Sequence, residues 1–327
     1  MRKAKKFYYG GQAVIEGVMM MGPKGYAVSA RRPDGSIATK IEPHHSVREK
    51  MKWMGWPIIR GFVNLCEMLV LGMSTITWSA NQAGEDEEEL NGGEMALAIL
   101  IALVACVALF LVVPAWFGTM AYHYVGGFGR SLLEGIIRIA IFIIYLLIIR
   151  KMDDIMRVFR YHGAEHKTIN AYEAGEVLTP ERVAAYSTRH LRCGTSFVLM
   201  VMIMMIIIFT FIGQTESTWT RVLIKLACMP FVAGLTYEFT RWSARHCENK
   251  CVRILITPGL WLQALTTEEP ELDMLAVAIR SLKAVIPGYF DEHPDEEPII
   301  DYRIEEKKES EAAEEIFNVQ NGAEELD

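Results

Sequence analysis

At 327 residues the chain has room for two or three domains. Its hydrophobic content of 51% and mean hydropathy of +0.19 are too high for an ordinary soluble protein and come from concentrated apolar blocks, which point to a polytopic membrane protein. The net charge of −7 hides an asymmetry: residues 291–327 hold 15 acidic and 3 basic residues, which leaves the remainder at +5. A basic membrane body with an acidic, disordered tail is expected. No basic patch interleaved with aromatics points to a nucleic-acid partner. The six cysteines (Cys66, Cys106, Cys193, Cys228, Cys247 and Cys251) do not have the spacing of a secreted disulfide framework.

In chain order, the basic start Arg2-Lys3-Ala4-Lys5-Lys6 is not followed by an apolar h-region, so no cleavable signal peptide is expected. Residues 1–50 read as a small cytoplasmic β-rich unit. Tyr26, Val28 and Ala30 alternate, Pro33-Asp34-Gly35-Ser36 supplies turn chemistry, and Ile37, Thr39 and Ile41 alternate again, which predicts a hairpin. The stretch from Gly10 to Pro23 reads as a strand bounded by glycines. Its single carboxylate, Glu16, is a candidate for delivery to a site.

The apolar stretch 54–80 carries Arg60, Asn64 and Glu67 in one stripe and reads as an interfacial or re-entrant helix. An acidic linker, Glu85 to Glu89, follows. Four stronger membrane candidates lie at about 95–117, 134–150, 197–213 and 221–240, each long enough for a hydrocarbon core of about 30 Å. Glu134 and Arg138 are expected near a membrane boundary. Basic residues concentrate at the N-terminus, in 151–196 and after the fourth span, so both termini and the 151–196 loop are expected to be cytoplasmic. If 54–80 also crossed, that distribution would be violated. The segment 243–290 reads as a membrane-docked cytoplasmic piece: a short apolar run from Ile254 to Leu265 broken at Pro258-Gly259, then a helix capped near Thr266-Thr267 and ending about Ile286. No internal repeat or paired mid-membrane charge supports a transporter.

Candidate chemistry centres on His162-Gly163-Ala164-Glu165-His166. Histidines at i and i+4 share a helix face with Cβ atoms about 5–6 Å apart, so two imidazoles can serve one cation. The order is H-x-x-E-H, with Glu165 placed as general base or supporting group. Glu173 lies on the same face but about 10 Å further along the axis, too far for the same ion. It is expected to meet substrate or a neighbouring loop. A catalytic zinc needs about three protein ligands and an open position. Candidates for the missing ligand are His190, Cys193, Glu238, His246 and Glu16. Cys193 follows Arg192 and opens the third span, where a thiol suits a nucleophile or soft ligand and Thr195 or Ser196 suits an N-cap. His246-Cys247-x-x-x-Cys251 lacks a second pair at zinc-ribbon spacing, and Met200 to Met205 read as packing.

Several stretches together resemble the bacterial YqhQ-like membrane proteins. They are Gly10 to Met20, Arg60-Gly61, Tyr161 to Thr168, Arg192 to Phe197, and Pro258-Gly259 through Leu265 to Pro270. The resemblance runs from residue 10 to about 280 and implies a polytopic bacterial membrane protein of a group described as predicted metal-dependent enzymes. Met21 stands where the family commonly has arginine, and Leu191 where proline is usual.

The resulting expectation is a mainly α, polytopic membrane protein with about four spans (pairs within 95–150 and 197–242), an interfacial helix and a small cytoplasmic β element. Its function is expected to be metal-dependent hydrolysis at the cytoplasmic face of the plasma membrane. His162 and His166 would bind a divalent ion such as zinc, His190 or Cys193 would complete the shell, and Glu165 would activate water. Glu16, Glu173, Arg192, Glu238 and His246 stand in supporting or substrate-binding roles. The partner is the lipid bilayer, and the substrate a lipid, a peptide or a membrane protein. The alternative is a non-enzymatic scaffold whose His/Glu/Cys cluster is a structural polar network.

Overall fold

The computed structural model describes residues 9–84, 92–212, 217–246, 248–296 and 299. The acidic linker, Cys247 and nearly all of the acidic tail lie outside the described residues. Four strands, β1 (Gly10–Val14), β2 (Gly17–Met21), β3 (Gly25–Arg31) and β4 (Ile37–Pro43), form an antiparallel meander in sequence order. The hairpin expected from Tyr26 to Ile41 is β3–β4, with Ser29 opposite Thr39 and Gly35 at φ 86° in the turn. The single strand expected before it is instead a second hairpin. β1 and β2 are joined through Ile15 and Glu16, and Glu16 takes φ 50°. Glycine permits the close approach at Gly17, where a Cβ would sit 2.0 Å from the Ser29 carbonyl oxygen.

β2 is buried on both faces, which explains its uninterrupted Val18-Met19-Met20-Met21. Met19, with Val14, Val28 and Ala30, packs against Leu71 and Trp78 of helix α1 (Ile59–Ala83). Val18 and Met20 pack in a larger core with Tyr161, Ala164 and Ile169 of α4 (Asp153–Ala174) and Met274, Leu275, Ala278 and Leu282 of α8 (Leu272–Val285). The cap is therefore three layers, a sheet between α1 and the α4/α8 pair.

Between α1 and α4, α2 (Gly92–Val107) runs through a π-helical turn at 108–112 into α3 (Val113–Ile149). The apolar run Ile99–Ile149 would measure about 76 Å if straight, far beyond one crossing of about 30 Å. It folds back at Gly126 (φ 66°, ψ −175°). The Arg138 guanidinium reaches the Phe110 carbonyl, and the Phe110 ring lies 6.1 Å from that of Phe142. The segments expected at 95–117 and 134–150 are thus the arms of one helical hairpin, and the loop expected between them is helical on both sides of Gly126.

After a loop come α5 (Gly194–Phe211), α6 (Thr218–Arg245) and α7 (Lys250–Thr266). Pro258 does not break α7 as expected. Gly259 there packs on Ser196, whose hydroxyl donates to the Gly259 carbonyl at 2.9 Å. α8 starts at Leu272 after Glu271, because α7 extends to Thr266 with Thr267 as its C-cap.

Among the described residues, four helices are long and apolar enough to cross a membrane: Ile59–Ala83, the folded Ile99–Ile149, Gly194–Phe211 and Thr218–Arg245. α1 meets α6 at its start, where Gly61 lies against Gly234 and Arg60 pairs with Glu238. Its second half leaves the bundle for the sheet: Gln12 donates to the Gly72 carbonyl, and Ser79 accepts from the Ile15 amide. Glu134 and Arg138, expected near a boundary, are buried inside the bundle with Arg130, Arg221 and Lys225. Their i, i+4 spacing on two helices turns all five towards one another.

Candidate metal centre

α4 carries His162 and His166 on one face, with ring centroids 4.4 Å apart. The helix can lie against the rest of the cap because Gly163 has no side chain; a Cβ there would sit 2.1 Å from the Glu268 carbonyl oxygen. That approach brings the end of α7 over His162, whose Nδ1 lies 2.8 Å from the Thr266 carbonyl. His166 Nδ1 lies 2.6 Å from the Thr188 carbonyl in the loop before α5. A carbonyl oxygen only accepts, so both Nδ1 atoms carry the proton. In the neutral rings both Nε2 atoms are left as lone-pair donors. Histidines that ligate metals are usually oriented by such a contact on the other nitrogen.

The third donor comes from the loop. Cys193, the N-cap residue of α5, is buried, and its Sγ lies 3.3 Å from His162 Nε2 and 3.0 Å from Thr195 Oγ1. The donors of His162, His166 and Cys193 all fall within 4.8 Å of one another. Zinc–nitrogen and zinc–sulfur bonds of about 2.05 and 2.3 Å at a tetrahedral angle place the two ligand atoms about 3.5 Å apart, close to the spacing of His162 and Cys193. Two imidazoles and a thiol suit zinc in hardness as well. Neither Thr195 nor Ser196 caps α5 as expected; Thr195 faces the thiol and Ser196 binds α7.

His190 stands beside this group, its ring 5.6 Å from that of His166, but its Nε2 faces an Arg192 guanidinium nitrogen at 3.3 Å. Burial, then the charges of Arg192 and His166, push its pKa down to about 3, so the ring stays neutral and accepts from Arg192. Arg192 also pairs with Glu173. Glu173, Arg192 and His190 therefore form a line of contacts beside His166, in keeping with the helix geometry that set Glu173 apart from the ion.

Glu165 is 5% exposed and lies against β1, where a Cβ on Gly11 would be 3.2 Å from its carboxyl carbon. Burial pushes its pKa up to about 7, against the opposing pull of His162 and the Gly11 amide. A carboxyl poised near neutrality suits proton transfer.

The remaining candidates lie elsewhere. Glu16 forms a two-pronged pair with Arg157 at 2.5 Å and accepts from Tyr161 at 3.3 Å, so it reaches α4 one residue before His162 but stays outside the donor group. Glu238 is held by Arg60. His246 stacks on Trp242 and binds that residue's own carbonyl at the exposed end of α6.

One residue the motif does not announce joins the loop to α7 and α5. Gln263 accepts from the His190 amide, donates to the His190 carbonyl and donates to Ser196. Its signal in sequence is that it is the single amide in the run Ile254 to Leu265.

Residues 56–287 match a family described as a protein of unknown function, DUF1385. The chain belongs to this family. Over 298 residues it is 30% identical to the uncharacterized protein YqhQ of Bacillus subtilis (strain 168), covering 85% of this chain and 92% of that relative. No solved structure matches. The chain is thus a member of the YqhQ-like group, and the matched region includes α4, the loop bearing Cys193, and α7.

Proposed function

We propose that the protein is a metal-dependent, hydrolase-type membrane protein whose site lies where the cap meets the membrane helices, on the cytoplasmic side. The observation that carries this reading is the convergence of His162, His166 and Cys193, with both histidines already oriented through Nδ1. Three protein donors are the complement of a catalytic rather than a structural zinc, because a fourth position stays open. A divalent ion there would supply Lewis acidity and an activated water, suited to an amide or ester bond in a lipid, peptide or membrane protein.

The chain's own residues divide the remaining tasks. Glu165, whose carboxyl lies against Gly11, interacts electrostatically with His162 and has a pKa pushed up to about 7, would hold or pass a proton. Arg192, braced by Glu173, offers a cation next to His190 for an anionic substrate group. Thr266 and Thr188 hold the imidazoles in one tautomer.

The scaffold reading has its own observation: the same contacts tie α4, the loop and α7 together without an ion. Elemental analysis of the purified protein separates the two. About one transition-metal ion per chain, lost on His162→Ala with His166→Ala, is the result of a metal site. A metal-free wild type that keeps its cellular phenotype after the double substitution leaves only the scaffold.

A further inference from the structure

The membrane bundle holds a second polar centre unrelated to the histidine motif. Glu134 of α3 accepts from Arg130 at 3.2 Å and from Arg221 of α6 at 2.6 Å on one oxygen, and from Lys225 on the other. Gly118 on the opposite arm makes room, since a Cβ there would sit 2.5 Å from the Glu134 side chain. One carboxylate is thus already shared by three cations, each of them at most 3% exposed.

Arg138 lies one turn further along α3 and is 4% exposed. Its Nε donates to the Phe110 carbonyl at 2.7 Å, while its buried Nη2 has no hydrogen-bond partner. Ionisable groups inside a membrane bundle are costly unless paired, and an unpaired buried guanidinium nitrogen forfeits a charge-assisted hydrogen bond. Glu134, although near enough to act on Arg138 electrostatically, makes no hydrogen bond to that nitrogen; its oxygens accept from Arg130, Arg221 and Lys225. A guanidinium fork beside an ammonium is the usual recognition element for phosphate-type oxyanions.

The position favours the same ligand. Counting back from Ile149, Arg130 to Arg138 lie about 17–29 Å from the cap end of α3, towards the Gly126 fold. That far end carries exposed aromatics (Trp116, Tyr124, Phe128 and Trp219), the residues enriched where lipid phosphates lie.

We propose that Arg138, with Lys225 beside Glu134, binds a phosphate-type oxyanion inside the bundle, either a lipid headgroup or free phosphate. The site stands independently of the metal centre. It is tested on the full-length protein in nanodiscs of zwitterionic phosphatidylcholine. One arm measures binding of radiolabelled inorganic phosphate; the other adds phosphatidic acid to the discs and counts retained lipid by native mass spectrometry. Binding in either arm, weakened about tenfold or more by Arg138→Gln, is expected from the loss of one charged hydrogen bond, and the arm that responds names the source. Where Arg138→Gln is not monodisperse, Arg138→Lys carries the test, since it keeps the charge and loses the fork. No binding in either arm, or binding that the Arg138 variant leaves unchanged, overturns the proposal.

Discussion

The two polar centres of this molecule are built on opposite principles. At the cap, metal-type donors converge: each imidazole is satisfied through Nδ1 by a backbone carbonyl, and the Nε2 of His162 meets the Cys193 thiol. In the bundle, charges converge, and one carboxylate holds three cations. The first arrangement gathers ligand atoms within 4.8 Å of one another, close enough to share one cation. The second is structurally committed, because removing its one anion strands several buried positive charges. The difference predicts that substitutions in the bundle cost stability first, whereas those at the cap cost binding first.

The sharpest way to break that comparison is Glu134→Ala. Leaving a buried cluster of cations uncompensated costs about 3–5 kcal/mol, so thermal unfolding in detergent should fall steeply or the protein should fail to assemble. A variant with wild-type melting would show that Glu134 does not organise the bundle. Gly163→Ala comes next. Its Cβ would meet the Glu268 carbonyl, and overpacking of this kind costs about 1–3 kcal/mol. Limited proteolysis should then find the segment after α7 newly accessible, as α4 is forced away from it.

Cys193→Ser sharpens the contrast from the other side. Serine retains size and a hydrogen-bonding group, so melting of the metal-free protein should move little while affinity for zinc falls at least about tenfold, measured by competition with a chromogenic chelator. Equal zinc affinity would remove the thiol from the site. The smallest effect is expected at Arg157→Ala. Its pair with Glu16 is half-exposed, and such pairs contribute about 0–1 kcal/mol, so neither melting nor metal content should change measurably.

How much of this was legible in the sequence follows from the range of each interaction. The β3–β4 hairpin, the helix bearing His162 and His166, and the apolar segments are written in local periodicity and were expected in place. The turn at Glu16 was not, because no Gly or Asn marks its positive φ. Which of His190 and Cys193 turns towards the two histidines could not be read locally, for a longer-range reason. The path from Val183 to Cys193 is fixed by Gln263, Thr188 and Arg192, whose partners are up to 73 residues away. Lys225 and Arg221 fall inside the segment expected as the fourth span and carried no reading of their own. Only the packing of α6 against α3, a tertiary feature, brings them to Glu134, although the i, i+4 spacing of Arg130, Glu134 and Arg138 was visible throughout.

The central claim is that three side chains from two distant stretches form a metal site. Its most direct test is inductively coupled plasma mass spectrometry on the full-length protein, purified without chelators or a histidine tag, beside the double variant His162→Ala, His166→Ala and the single variant His246→Ala. The account predicts about one zinc-like ion per chain in the wild type and in His246→Ala, and none in the double variant. A wild type without stoichiometric metal, or equal metal in all three proteins, would contradict it.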